Sequence, residues 1–263
     1  ARGFPFQPGY SNIARVAAVG ADVRHFRVGQ IVASLQAHVS HALMPETIGP
    51  GRPPEKYRAQ FRSPITGDGT FAPLHYLWPT PEGLDASAMK QCAAFNIASV
   101  GITGARVAKI ELGEGVVVLG LGPVGLIAAW AAKASGGFPV VGVDPAPSRR
   151  ALAARYGLDA VVASIDAVPF KPRVVIEATG KPAPIPQAFK LCAPGGRVVL
   201  LGSTRGNVEG VDFYNDVHRK GLEIIGAQVL TRPIMDSAPG RWTAWDENAL
   251  VLRLVAEKRL DLS

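Results

Sequence analysis

The chain is short of cysteine, of long apolar runs and of clustered charge, and each shortage removes a class of protein. Its 263 residues contain only Cys92 and Cys192. These form no CxxC pair and no disulfide framework, which argues against a small secreted scaffold and suits a reducing cytoplasm. No apolar run reaches the roughly 18 residues of a membrane-spanning helix. The first residues lack a basic segment, apolar core and small-residue cleavage site, so no secretory signal and a cytoplasmic location are expected. The net charge of +7 favours anionic ligands, nucleotides included. The Lys and Arg residues are nevertheless spread out, without the aromatic-interleaved stripe of a nucleic-acid binder, so most of this charge is expected at a solvated surface. The 48% hydrophobic content is enough for a sizeable core in one large domain or two smaller ones.

The pattern of elements changes along the chain. "NIARVAAVGADV" (12–23) and "VGQIVASL" (28–35) predict short strands joined by a turn. Residues 44–82 are dense in Pro, Gly and Arg and hold neither a period of 2 nor of 3.6, so a long irregular excursion is expected there. The stretch from Asp85 to Lys109 is helical in pattern, with Asp85 as N-cap. Val-rich segments then alternate with helical ones: "GVVVLG", "PVGLIAAWAAKAS", "FPVVGVD", "PSRRALAARYG", "DAVVA", "PRVVIEATG", "PIPQAFKLC", "GGRVVLLGS", "GLEIIGAQ" and "WDENALVLRLVAEKRL". That alternation predicts an α/β domain built on a parallel sheet covered on both faces.

Within it, "VVVLGLGPVGLIAAW" places Gly120, Gly122 and Gly125 in GxGxxG spacing between a buried strand and a helix. Gly120 allows the tight turn, Gly122 lets a pyrophosphate approach the backbone, and Gly125 lets helix and strand pack closely. The helix start at Pro123 and Val124 offers N–H groups to phosphate. The next strand ends in Asp144, where a carboxylate meets the adenosine ribose hydroxyls and repels a 2′-phosphate, so NAD is the expected cofactor. Arg149 and Arg150 follow closely and an arginine there can accept a 2′-phosphate. Thr179 and Gly180, and Leu201, Gly202 and Ser203, end two further strands and are candidates to border the nicotinamide half, or ordinary turn formers.

Together with "PGYSNIARVAAVGADVRHFRVGQIVAS", "LWPTPEGLDASAM", "VVIEATG…APGGRVVLLGS" and "HRKGLEIIGAQ", this order of segments resembles the medium-chain dehydrogenase/reductase superfamily, the zinc-type alcohol and polyol dehydrogenases and their relatives. The resemblance implies a Rossmann doubly wound parallel sheet plus a partial GroES-like β-rich catalytic domain. It assigns 1–105 to the catalytic domain, with the insertion 44–82, and 106–240 to the dinucleotide-binding domain. Residues 241–263 would be a truncated helix returning to the catalytic domain. Substrate and nicotinamide would meet between the domains. Relatives continue beyond both ends of this chain and commonly pair through an edge strand near "GLEIIGAQ", which implies a homodimer or homotetramer.

The same resemblance exposes a departure. Zinc enzymes of the family carry Gly-His-Glu in the turn before the first strand, where this chain reads Gly9-Tyr10-Ser11. Neither Tyr nor Ser is a usual zinc ligand. The later ligand position reads "QCAAFNIAS", with Cys92 and Asn96 nearby, and the cysteine cluster of structural zinc has no counterpart in 44–82. No metal is therefore expected, or else a rearranged site. Tyr10, with Ser11 as relay, is the first candidate for moving the hydroxyl proton; the alternative is a capped turn. His38 and His41 are the second, since i,i+3 spacing puts both on one face of a helix and on opposite faces of a strand. His75 is a weaker third; His25 and His218 read as surface or packing residues, and Cys92 as a small buried hydrophobe.

The expected activity is hydride transfer between NAD(H) and a secondary alcohol or ketone: a polyol, a sugar-like compound or a specialised metabolite. Arg52, Lys56, Arg58 and Arg62 would suit an anionic or hydroxyl-rich substrate, or simply be solvated. Two alternatives stand beside it: a zinc-free enoyl or quinone reductase, and a non-catalytic NAD-binding sensor or scaffold. A small-molecule substrate is expected, with neither nucleic acid nor membrane as partner.

Overall fold

The computed structural model describes residues 9–47, 49 and 75–263. Most of the irregular stretch 44–82, and with it Arg52, Lys56, Arg58 and Arg62, lies outside the described residues. The chain forms two compact units, one of Ala1–Ser99, Leu230–Ala238 and Trp242–Ser263, the other of Val100–Val229 and Pro239–Arg241.

The second unit is a six-stranded parallel sheet. Its strands are β4 (Val116–Leu119), β5 (Val140–Val143), β6 (Ala160–Val162), β7 (Val174–Glu177), β8 (Arg197–Leu200) and β9 (Glu223–Gly226), in the order β6-β5-β4-β7-β8-β9. Every residue of β4, β5 and β7 is buried, which explains why they read as unbroken apolar runs rather than alternating ones. Side chains still point to alternate faces: Val117, Leu119, Val141, Val143, Val175 and Val198 join Ile185 and Phe189 of α5 (Pro184–Leu191) in one core. On the sheet lie also α3 (Pro123–Ala134) and the short α4 (Pro147–Ala153), which closes through a 3-10 turn onto Gly157 at φ +67°. Each buried Val contributes about 1.5–3 kcal/mol.

In the first unit, β1 (Asn12–Arg15), β2 (Ile31–Ser34) and β3 (Leu77–Pro79) form an antiparallel sheet. Both predicted strands, 12–23 and 28–35, are shorter than expected. After Arg15 the ladder continues through Val16, whose N–H donates to Gln30 O and whose carbonyl accepts from Gly29 N–H, and the chain then turns where Val23 N–H reaches back to Gly20 O. The helix expected over 85–109 is two helices, α1 (Ala86–Cys92) and α2 (Phe95–Val107). Asp85 does cap α1, accepting from Ala88 N–H at 2.8 Å. The pattern stays apolar through the break at Ala93 and Ala94, so periodicity alone could not reveal it. The last helix, α6 (Ala244–Ala256), is capped by Thr243 and packs its Trp245 ring against Tyr76 and Trp78.

Candidate functional site

The strand order reverses at β4, which has β5 on one side and β7 on the other, and open α/β sheets bind ligands outside the carboxyl ends of their strands at such a reversal. The glycine loop sits there. Gly120 adopts φ +88°, and a Cβ on it would come within 3.0 Å of the Thr179 backbone. A Cβ at Gly125 would lie 1.8 Å from Gly120 O, so no side chain fits between α3 and the loop. Gly122, the N-cap of α3, is different: a Cβ there would meet nothing within 4 Å. Open space faces a helix start whose first N–H groups lack intrahelical partners, an anion-accepting arrangement. Pro123 fits at the first helical position because its missing N–H is not needed there.

Asp144 follows β5 and is only 2% exposed. Its Oδ2 accepts from Leu121 N–H at 2.9 Å, inside the glycine loop, and its Oδ1 from Ala146 N–H at 2.8 Å. Burial pushes the carboxyl upward, but the two amides and the Arg149 guanidinium, 3.4 Å away, together hold it below the ordinary aspartate range. Both oxygens keep lone pairs for further donors such as hydroxyls. Arg150 turns instead to the carbonyls of Asp144 and Pro145, so Arg149 is the arginine that borders the carboxylate.

At the neighbouring strand ends, Gly180 adopts φ +69° and Gly202 packs so closely that its Cβ would sit 2.6 Å from Gly180 N. The tips of β7 and β8 therefore touch backbone to backbone. Thr179 spends its hydroxyl within the turn, donating to Glu177 and accepting from Lys181 N–H. Leu201 is buried with its side chain packed where Gly104 of α2 leaves room, so only its backbone belongs to the strand end. Ser203 is exposed. The residue that sequence reasoning missed is Glu177, fully buried at the end of β7. Its signal was available: an acid closing the otherwise apolar run "VVIE".

In the first unit the turn Gly9-Tyr10-Ser11 is held in place by two contacts. Ser11 Oγ donates to Ala93 O at 2.6 Å, satisfying a carbonyl left over where α1 ends. His38 Nε2 lies 3.1 Å from Ser11 O. A carbonyl can only accept, so this contact places the proton on Nε2 and leaves Nδ1 as the basic nitrogen of the neutral ring. Gly9, at φ +92°, has no room for a side chain, because its Cβ would lie 2.2 Å from the His38 ring. Tyr10 projects outward, 58% exposed. The expected pairing of His38 with His41 is not found. Residues 35–43 form no helix, so no common face exists; His38 turns to Ser11 while His41 is exposed elsewhere on the bend.

The remaining histidines differ in their surroundings. His75 is buried against the Tyr76 ring at 4.2 Å, His25 bonds Glu46, and His218 stacks on Tyr214. Cys92 is fully buried and its thiol is pushed up to about 11 by burial, which leaves little thiolate for a nucleophilic role near neutral pH. Among the described residues, no three His, Cys, Asp or Glu side chains gather as a metal would require. The donors around Gly9–Ser11, a hydroxyl, a phenol and one imidazole, do not fit zinc.

Comparison with known proteins agrees with this geometry. Residues 123–241 match the family model described as zinc-binding dehydrogenase. L-threonine 3-dehydrogenase of Thermococcus kodakarensis is 37% identical over 124 residues, 43% of this chain and 35% of that protein. D-guloside 3-dehydrogenase of Shigella flexneri is 29% identical over 173 residues, 62% of this chain and 48% of that protein. The crystal structure of galactitol-1-phosphate dehydrogenase from Escherichia coli superposes with a TM-score of 0.73 at 22% identity, covering 100% of this chain and 77% of that one. The chain is thus similar to zinc-binding dehydrogenases over residues 123–241 and shares the fold of the galactitol-1-phosphate dehydrogenase structure. It spans between about a third and a half of the length of those two curated relatives.

Proposed function

We propose that the chain carries the nucleotide site and part of the catalytic portion of an NAD(H)-dependent oxidoreductase that works without catalytic zinc on a secondary alcohol or ketone, a polyol or sugar-like compound. The observation that carries this reading is Asp144, a buried carboxylate fastened to the glycine loop through Leu121 N–H and keeping lone pairs for ribose hydroxyls. Gly122, Val124 and Gly125 at the α3 start would hold the pyrophosphate; Asp144 would hold the adenosine ribose; the β7 and β8 tips, Thr179–Gly180 and Leu201–Ser203, would border the nicotinamide. When bound, NAD supplies the hydride acceptor. The chain's own part is to orient the ring and to take up the hydroxyl proton. Tyr10 and Ser11 with His38 are the groups for that proton, Nδ1 of His38 being the accepting atom and Ser11 holding the turn on Ala93. His41 stands outside this cluster and would act only on a substrate that reaches it. The relatives' printed substrates are hydroxyl-bearing compounds, which supports the same substrate class. A homo-oligomer in the cytoplasm completes the reading.

Zinc per chain by elemental analysis, run with a panel of alcohols, ketones and enones, tests this. Turnover of a secondary alcohol with NAD+ at near-zero zinc supports it. A zinc content near one atom per chain contradicts the zinc-free part. Nucleotide binding with no turnover on the whole panel would leave a non-catalytic NAD-binding role. One observation favours a second reading, an NADPH-using enoyl or quinone-type reductase: the Arg149 guanidinium is 58% exposed beside Asp144, and an arginine there would accept a 2′-phosphate.

A further inference from the structure

Glu177 presents a burial problem. The side chain is 0% exposed and, among the described residues, no Lys, Arg or His lies within ion-pair distance of it. Burying an acid costs free energy unless hydrogen bonds offset it. All the donors that do so belong to the carboxyl edge of the sheet. Oε1 accepts from Thr179 N–H at 2.8 Å and from the Thr179 hydroxyl; Oε2 lies 3.5 Å from the Thr204 hydroxyl. The backbone carbonyl of Glu177 accepts from both Leu201 N–H and Gly202 N–H, at 2.9 and 2.8 Å. A Cβ on Gly202 would come within 3.1 Å of Oε2. One residue thus ties the tip of β7 to the tip of β8. It also fixes Thr179, which forms the wall facing Gly120 across the strand-order reversal.

An apolar strand end would fold more cheaply, and the sheet core beneath is already complete with Val175 and Ile176. What the acid adds is a fixed geometry at two loop tips. Asp144 marks the adenosine side at the end of β5, so the other half of an extended dinucleotide runs over the ends of β7 and β8. We propose that Glu177 is the positioning residue of the nicotinamide half-site: it does not touch the reacting atoms but sets the Thr179–Gly180 and Gly202–Thr204 tips that would flank the ring. This rests on the dinucleotide reading above.

The test compares two ligands on the whole 263-residue chain. NADH has the nicotinamide ring and ADP-ribose lacks it, and both are titrated by calorimetry into wild type and E177Q. The glutamine keeps the volume and a carbonyl for Thr179 N–H but loses one acceptor. The expected result is about tenfold weaker NADH binding with ADP-ribose unchanged within about twofold, the size of one lost hydrogen bond. T204V, which removes the donor on the other tip and disturbs the strand less, should weaken NADH about threefold in the same selective way. It carries the test if E177Q fails to fold. Equal weakening of both ligands, or no change in either, overturns the proposal by making Glu177 a structural acid. If wild type binds ADP-ribose as tightly as NADH, the half-site is absent while the dinucleotide reading stands. If wild type binds neither, both fall.

Discussion

The two units treat their loop tips in opposite ways. In the nucleotide unit the residue types and the geometry agree. The glycines stand where a side chain would collide, Asp144 reaches into the loop that needs it, and the helix start faces open space. In the other unit the turn Gly9–Ser11 is held by its hydrogen bonds. Gly9–Ser11 meets the break between α1 and α2 through the Ser11 hydroxyl and the Ala93 carbonyl. The lesson is that one loop is shaped by the absence of side chains and the other by hydrogen bonds. The first unit should therefore respond to substitution as a hydrogen-bonded turn, and the second as a ligand site.

The largest effect is expected at Gly125. A valine there would have to displace the Gly120 carbonyl, so G125V should abolish NADH binding and lower stability by about 1–3 kcal/mol or more, read by titration and thermal melting. Asp144 comes next. D144A removes the group that would hold the ribose and should weaken NADH by about tenfold to a hundredfold, with a smaller loss for NADPH. The folded protein holds this carboxyl below its ordinary value of 3.8. Its contribution to stability is therefore complete above that value and disappears as pH falls through the lower folded one. Wild type should lose melting temperature on acidification below about pH 4 more steeply than D144N does.

Smaller effects are expected in the first unit. S11A deletes one partly buried hydrogen bond and should cost about 1 kcal/mol, a melting shift of a few degrees, with NADH affinity unchanged. A loss of NADH affinity in S11A would break the contrast between the units. Smallest of all, Cys92, with its thiol near 11, should resist a thiol reagent at pH 8 in the folded protein and react on unfolding.

The proposed nucleotide site was legible because it depends on spacing and absence of side chains, which a sequence displays directly. Val116–Leu119, the three glycines and Asp144 each carry their own local reason. Glu177 shows itself in the sequence as an acid ending an apolar run, but its reach to Thr204, in the loop after β8, is a tertiary contact that no local pattern announces. The same holds for Ser11 and Ala93, which are 82 residues apart. His38 and His41 misled for a related reason. Spacing offered a helix face, but the chain from Leu35 onward bends without helical hydrogen bonds, and His38 is placed by Gly9 instead. The break at Ala93 was hidden by alanine itself, which suits a helix interior and gives no stop signal.

The most direct test of the central claim is a paired calorimetric titration of NADH and NADPH into the purified chain. With Asp144 buried, ionised and tied to Leu121, NADH should bind at least about tenfold more tightly, as a carboxylate repels the 2′-phosphate. NADPH binding as tightly as NADH, or more so, would contradict the account and give Arg149 the deciding role.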